Sequence, residues 1–198
     1  MSGGHDPQDD RAHWAARYLE RGDEIEHAPS SWIVKRALAL PRETVFVDVA
    51  GGTGRHAAPI ARAGRTVVVL DFVPRAVSTA VERHDNVLGV VADVRALPVR
   101  RASVGAILCV SFLDRAVFGA LAEMLVPGGV LLYETFTLAH LDVVERGRAR
   151  GPRNPAYLLA PGELPALVAP LAVIEHEERF IIDETGERHV ARVMAVRR

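Results

Sequence analysis

Short apolar strands alternating with helices of about ten residues predict an α/β fold: a doubly wound, mostly parallel seven-stranded sheet that ends in an antiparallel β-hairpin. Three observations predict it. Val45–Val49, Thr66–Leu70, Val87–Ala92, Ala106–Val110 and Val130–Thr135 are nearly continuous apolar runs, the pattern of parallel strands covered on both faces. Gly51-Gly52-Thr53-Gly54 separates the first run from a helical stretch. Val173–Ile182 and Arg188–Val196 flank Asp183-Glu184-Thr185-Gly186-Glu187, two strands joined by a short glycine-containing loop.

The elements follow in order. His13–Glu20 carries Trp14, Tyr18 and Leu19 on one face and reads as a short helix. Pro29-Ser30-Ser31 opens a second helix through Leu40, with a serine cap and a stop at Pro41. Arg55–Arg62 is a helix that ends near Gly64, Pro74–Arg83 a helix with proline in its first turn, and Arg115–Leu125 a third between strands. Thr137 to Leu159 reads as one long irregular stretch bearing Arg146, Arg148, Arg150 and Arg153. It leaves the C-terminal end of the fifth strand, the rim where open sheets of this kind bind ligands. Residues 1–40, a tail and helices, are expected to belong to the same domain as residues 41–198.

Composition narrows the function. The chain has 198 residues, 49% hydrophobic and 25% charged, with a formal net charge of −1, so there is no basic excess of the kind nucleic-acid binding uses. Cys109 is the single cysteine and lies in an apolar run, which excludes an internal disulfide and a cysteine-based zinc site and reads as a core thiol. No metal site is expected. No run nears the roughly 18 apolar residues that span a bilayer, and Met1–Arg11 lacks the basic-then-apolar layout of a signal peptide. The expectation is a cytoplasmic chain without a membrane or nucleic-acid partner. Oligomeric state is not legible.

The candidate site lies at the strand ends. Gly52-Thr53-Gly54-Arg55-His56-Ala57 fits the G-x-G-x-x-A turn that brings backbone close to a nucleotide-type ligand. Asp48 brings a carboxylate to the same place, which suits a cationic ligand better than a pyrophosphate. Asp71 ends the second strand, where an acid accepts both hydroxyls of a ribose; Phe72 offers a ring to an adenine. Asp93 ends the third strand, placed to accept from an exocyclic amine beside an apolar edge from Val94. The plainer alternatives are turn chemistry for the glycines and helix caps for Asp71 and Asp93. Three anions on one rim nonetheless require a cation or hydrogen-bond donors, and a ligand with a sulfonium, an ammonium, a ribose and an adenine supplies both.

Asp48-Val49-Ala50-Gly51-Gly52-Thr53-Gly54, Asp71, Asp93 and the Leu125-Val126-Pro127-Gly128-Gly129-Val130-Leu131-Leu132 turn into the fifth strand resemble the class I S-adenosylmethionine-dependent methyltransferases, over about residues 43–198. Trp14-Ala15-Ala16-Arg17-Tyr18, Pro29-Ser30-Ser31-Trp32, Tyr133-Glu134-Thr135-Phe136 and Arg153-Asn154-Pro155-Ala156-Tyr157-Leu158-Leu159 resemble the small bacterial subgroup of tellurite-resistance and thiopurine type. The resemblance implies a Rossmann-like methyltransferase fold over 41–198 and S-adenosylmethionine as cofactor. It also implies roles. Gly51, Gly52 and Gly54 pass under the methionine part, and Asp48 holds its ammonium. Asp71 takes the ribose, Asp93 and Val94 flank the adenine, backbone near Ser111 faces the methionine end, and Arg17 reaches the cofactor carboxylate. Two departures stand out: Ala50 occupies a frequent glycine position, and Val104-Gly105 begins the fourth strand where an acid is usual. Asn154-Pro155-Ala156-Tyr157 resembles the signature of amino-methylating nucleic-acid enzymes, but that signature follows the fourth strand and this one the fifth, so its role is not carried over.

The implied reaction is methylation of a small molecule such as a thiol, an oxyanion or a carboxylate-bearing metabolite. The arginines from Arg146 to Arg153 are candidates for binding an anionic acceptor, with a merely solvated loop as the alternative. His56, Asp114, His140 and Tyr157 are base candidates by location only, and no catalytic residue is assigned. Three other readings stay open: a cofactor-binding module without chemistry, an NAD-dependent oxidoreductase, and methylation of nucleic acid, against which the near-neutral charge weighs. Chain length, the hairpin and Asp48 weigh against the second.

Overall fold

Five parallel strands run from the middle of the sheet outward to one edge, and a hairpin completes the other. The computed structural model describes residues 16, 28–147, 151–183 and 186–198. The expected helix at 13–20, Arg17, Arg148 and Arg150 lie among the residues outside these, Ala16 excepted. The strands are β1 (Phe46–Val49), β2 (Val67–Asp71), β3 (Val87–Val91), β4 (Val104–Val110), β5 (Leu125–Phe136), β6 (Ala172–Asp183) and β7 (Gly186–Val196). The seven-stranded sheet has the order β3-β2-β1-β4-β5-β7-β6. β1 to β5 pair in parallel, and β7 runs antiparallel to both β5 and β6. The order reverses between β1 and β4, the switch point at which such sheets leave a crevice above their C-terminal ends.

The helices are α1 (Ser31–Ala39), α2 (Ala57–Arg62), α3 (Pro74–Arg83), α4 (Phe118–Met124), α5 (His140–Glu145) and α6 (Glu163–Leu167). Ser30 caps α1, its hydroxyl accepting from the Ile33 N–H. Two cores cover the two faces. On one, Trp32, Ile33 and Ala37 of α1 and Ala57, Ile60 and Ala61 of α2 pack on Phe46, Leu108 and Leu132. On the other, Phe118, Leu121 and Ala122 of α4 pack on Val47, Val49, Ile107 and Tyr133. Alternation along β1 therefore turns Asp48 to the α2 face, with Phe46.

Polar contacts fasten α1 to the hairpin side of the sheet. The guanidinium groups of Arg36 and Arg192 lie over the Trp32 ring, 4.2 and 5.2 Å from its centroid. Its indole N–H donates to Glu175 at 3.1 Å, and Arg36 pairs with the same carboxylate. Ser30 donates to the buried Glu134 at 2.9 Å. Arg192 in turn donates to Glu177 at 2.6 Å and lies 3.6 Å from Glu134.

One expectation is corrected. Thr137–Leu159 is not irregular throughout: it holds α5 and a 3-10 turn at Pro155–Tyr157. Thr137 and Leu159 form a parallel bridge, so the segment returns to extend the end of β5. Arg115 ties it down, donating to the carbonyls of Ala156 (2.9 Å) and Leu158 (3.0 Å) and pairing with Glu163 (2.6 Å). No helix among the described residues is long and apolar enough to cross a membrane.

Candidate functional site

The turn after β1 is the centre of the site. The chain reverses through positive φ at Ala50 (54°), Gly52 (56°) and Gly54 (79°) before α2 begins. The expected helix start at Arg55 is thus spent in the turn, and regular helix starts at Ala57. Gly51 N–H donates to the Leu70 carbonyl at 3.1 Å, and Gly54 N–H to the Gly51 carbonyl at 3.0 Å. A Cβ at Gly51 would sit 2.8 Å from Cγ of Asp48, and one at Gly54 3.0 Å from Cβ of Ala80 on α3. Both positions are crowded because the turn lies between the β1 carboxylate and α3.

Asp48 lies beneath this turn, 1% exposed. The Ala57 N–H donates to its carboxyl, and Oδ2 has no partner among the described residues. Burial pushes its pKa up to about 7, with Arg55 opposing and Asp71 reinforcing the rise. A carboxylate half-satisfied in a dry place is costly.

Asp71 is the last residue of β2 and is 5% exposed. Its Oδ2 accepts from the Gly52 N–H and its Oδ1 from the Val73 N–H, both at 2.9 Å. Burial raises its pKa, and these backbone donors offset part of the rise. The capping alternative is therefore real: Asp71 pins the glycine turn to the start of α3. Each of its oxygens retains a lone pair beyond those bonds. The Ala92 N–H donates to the Asp71 carbonyl at 3.0 Å, which brings the end of β3 alongside.

Asp93 caps a 3-10 turn at Val94–Ala96, accepting from the Arg95 N–H at 2.9 Å. Val94 is 8% exposed and packs in the core with Val49 and Leu70, so little of its side chain faces outward. Phe72 is half-buried beside Asp71. Ser111 follows β4 with φ of 58° and donates its N–H to the Glu134 carbonyl at 2.8 Å. Thus Asp48, the three glycines, Asp71, Phe72, Asp93 and Ser111 all stand on the C-terminal rim of four neighbouring strands.

The base candidates separate. Asp114 caps a 3-10 turn by accepting from Ala116 and pairs with Arg95 at 2.6 Å. His140 is buried, stacks on Phe136 at 4.5 Å, and its Nδ1 accepts from the His189 N–H. Tyr157 belongs to the 3-10 turn that Arg115 holds. His56 is buried at the glycine turn, and its Nε2 has no partner among the described residues. Arg146, at the end of α5, lines a cavity of about 350 Å³ between that helix and the hairpin residues Phe180, Glu187 and His189. Sequence reading gave no role to Glu134. Its signal was a lone carboxylate in the apolar run Leu131-Leu132-Tyr133-Glu134, and it is buried at the rim between Ser30 and Arg192.

Residues 46–129 match a family model described as a methyltransferase domain. No curated protein matches the chain by sequence. Among solved structures, the chain is similar to TehB from Haemophilus influenzae, at 17% identity over 93% of this chain and 67% of that one, with a TM-score of 0.69. It is similar to an S-adenosylmethionine-dependent methyltransferase from Methanosarcina mazei, at 16% identity over 86% and 99%, TM-score 0.70. A geranyl diphosphate methyltransferase in complex with GPP and sinefungin aligns at 14% identity over 95% and 84%, TM-score 0.66. At these identities the likeness is one of fold.

Proposed function

We propose that this chain is a class I S-adenosylmethionine-dependent methyltransferase that methylates a small molecule bearing a thiol, an oxyanion or a carboxylate; the match of residues 46–129 to a methyltransferase domain and the fold shared with an S-adenosylmethionine-dependent methyltransferase support this reading. When bound, S-adenosylmethionine supplies an electrophilic methyl group on a sulfonium. The residues present fit that cofactor. The observation that carries the reading is the buried Oδ2 of Asp48, without a partner among the described residues, under a turn that excludes a Cβ at Gly51. In this reading Asp48 holds the ammonium group, while Gly51, Gly52 and Gly54 let the backbone lie against the methionine part. Asp71 accepts from the ribose, Phe72 packs on the adenine, and Asp93 with Val94 flanks it. Backbone at Ser111 faces the methionine end. Arg17 lies outside the described residues and keeps its place as a proposed contact to the cofactor carboxylate.

The protein's own contribution to such a transfer is alignment and the exclusion of water, which an already ionised nucleophile needs most. The formal net charge of −1 supports a small acceptor over a polyanion. The neighbour that methylates geranyl diphosphate acts on a small anionic molecule, which supports the same class here. Arg146 and Arg153, both exposed on the segment after β5, are the proposed anion contacts.

Calorimetry with S-adenosylmethionine, S-adenosylhomocysteine and NAD tests the cofactor site: heat with the first two and none with NAD is expected. Turnover of S-adenosylmethionine is then measured across thiols, oxyanions and small carboxylic acids. Binding without turnover of any acceptor in the panel would favour a cofactor-binding module over the enzyme acting on these classes.

A further inference from the structure

Two buried polar atoms at the glycine turn have no partner among the described residues: Oδ2 of Asp48 and Nε2 of His56. The cofactor reading absorbs the first and leaves the second unused. His56 is 4% exposed and directly precedes the first residue of α2, Ala57, whose N–H donates to Asp48. The two orphans therefore flank a single backbone step. Leaving a buried ring nitrogen unsatisfied costs as much as a lost hydrogen bond, and a ligand group reaching this turn would satisfy it.

The surroundings identify that partner. Arg55 acts electrostatically on both Asp48 and His56, and Arg188 on β7 acts on His56. Burial, with these two guanidinium groups, holds the His56 pKa well below the ordinary imidazole range, so the ring is neutral and carries one N–H. The site thus has a negative pole at Asp48 and, on the His56 side, a neutral ring whose Nε2 can carry the N–H, near Arg55 and near Arg188, the latter paired with Asp183. An α-amino acid end, with ammonium and carboxylate on one carbon, has the same polarity.

We propose that His56 donates from Nε2 to the carboxylate of the methionine part of S-adenosylmethionine, while Asp48 takes its ammonium. This rests on the cofactor reading above and adds to it a carboxylate contact within the described residues.

The test compares His56→Phe and His56→Gln with wild type by calorimetry on the full chain. The probes are S-adenosylhomocysteine and its decarboxylated analogue, which keeps the ammonium and lacks the carboxylate. His56→Phe is expected to bind S-adenosylhomocysteine about tenfold more weakly and the decarboxylated analogue as wild type does. His56→Gln, which retains a donor, is expected to recover part of the loss. Equal weakening for both probes, or a change under about twofold for S-adenosylhomocysteine, overturns the proposal while leaving the cofactor reading intact. Absence of binding to wild type would instead overturn the cofactor reading itself. Should His56→Phe fail to fold, imidazole nitrogen NMR of the wild type decides. The His56 resonance must move with S-adenosylhomocysteine and stay with the decarboxylated analogue, and a shift common to both overturns the proposal.

Discussion

Oδ2 of Asp71 accepts the backbone N–H of Gly52 at 2.9 Å, so the tip of β2 holds the turn that follows β1. The other oxygen accepts from Val73. An amide in this place offers one acceptor and turns its NH₂ group against the remaining backbone N–H. Asp71→Asn is therefore expected to lower stability by about 1–3 kcal/mol, read by chemical denaturation, and to weaken S-adenosylhomocysteine in calorimetry. Unchanged stability would show that the turn stands without this bond.

Gly51→Ala places a Cβ 2.8 Å from Cγ of the buried Asp48. Overpacking at such a site costs about 1–3 kcal/mol. Adding Asp48→Ala removes the atoms that clash and is expected to restore part of the stability, with cofactor binding still lost. A double variant no more stable than Gly51→Ala alone would place the strain elsewhere.

Asp48 has its pKa pushed up to about 7, so its ionisation opposes folding. Below the ordinary carboxylate range both folded and unfolded chains hold this proton, and there is no penalty. The penalty grows as pH rises toward 7 and is level above it. In the proposed role of Asp48, cofactor affinity is expected to run the other way, rising as the carboxylate forms and flattening above about pH 7. Asp48→Asn should accordingly melt higher than wild type at pH 8 and at the same temperature near pH 4, while failing to bind S-adenosylhomocysteine. Melting curves and calorimetry across that range check both slopes.

Ala50 stands at φ of 54°, a region that disfavours any residue with a Cβ. Ala50→Gly relieves that cost and adds backbone freedom to the unfolded chain, with a net gain of about 0.5–1 kcal/mol expected. Denaturation midpoints read it, and a loss of stability would contradict the strain.

Arg115→Ala frees the carbonyls of Ala156 and Leu158 and the carboxylate of Glu163 together. The ion pair is partly exposed, so global stability should fall by only about 0–1 kcal/mol. Hydrogen exchange across residues 151–163 should nevertheless accelerate. Unaltered exchange there would mean that the backbone bonds around Leu159 and the Gly162–Glu178 contact hold the segment without Arg115.

Legibility followed the range of the forces involved. Pro74–Arg83 was readable to the residue, because proline fixes its first turn locally and the amphipathic pattern its length. β5 was expected from Val130 and begins at Leu125, because pairing of Leu125 with Val104 extends the strand. Its start depends on a partner distant in sequence. α5 was hidden inside an irregular stretch because its buried face, His140, Val143 and Val144, packs at the beginning of β7. Glu134 was passed over because Ser30 and Arg192, the partners that satisfy it, come from opposite ends of the chain.

The amino-acid order by itself determined the alternation of strands and helices, the glycine turn and the acids placed at strand ends, since each depends on neighbours a few residues away. Only the tertiary structure decided which acids are already satisfied and which atoms wait for a partner. Asp71 is bonded at both oxygens, whereas Asp48 and His56 each bury an atom that no described residue meets. Burial and long-range hydrogen bonding are properties of the packed chain, and they separate a carboxylate bonded at both oxygens from one with an oxygen that no described residue meets.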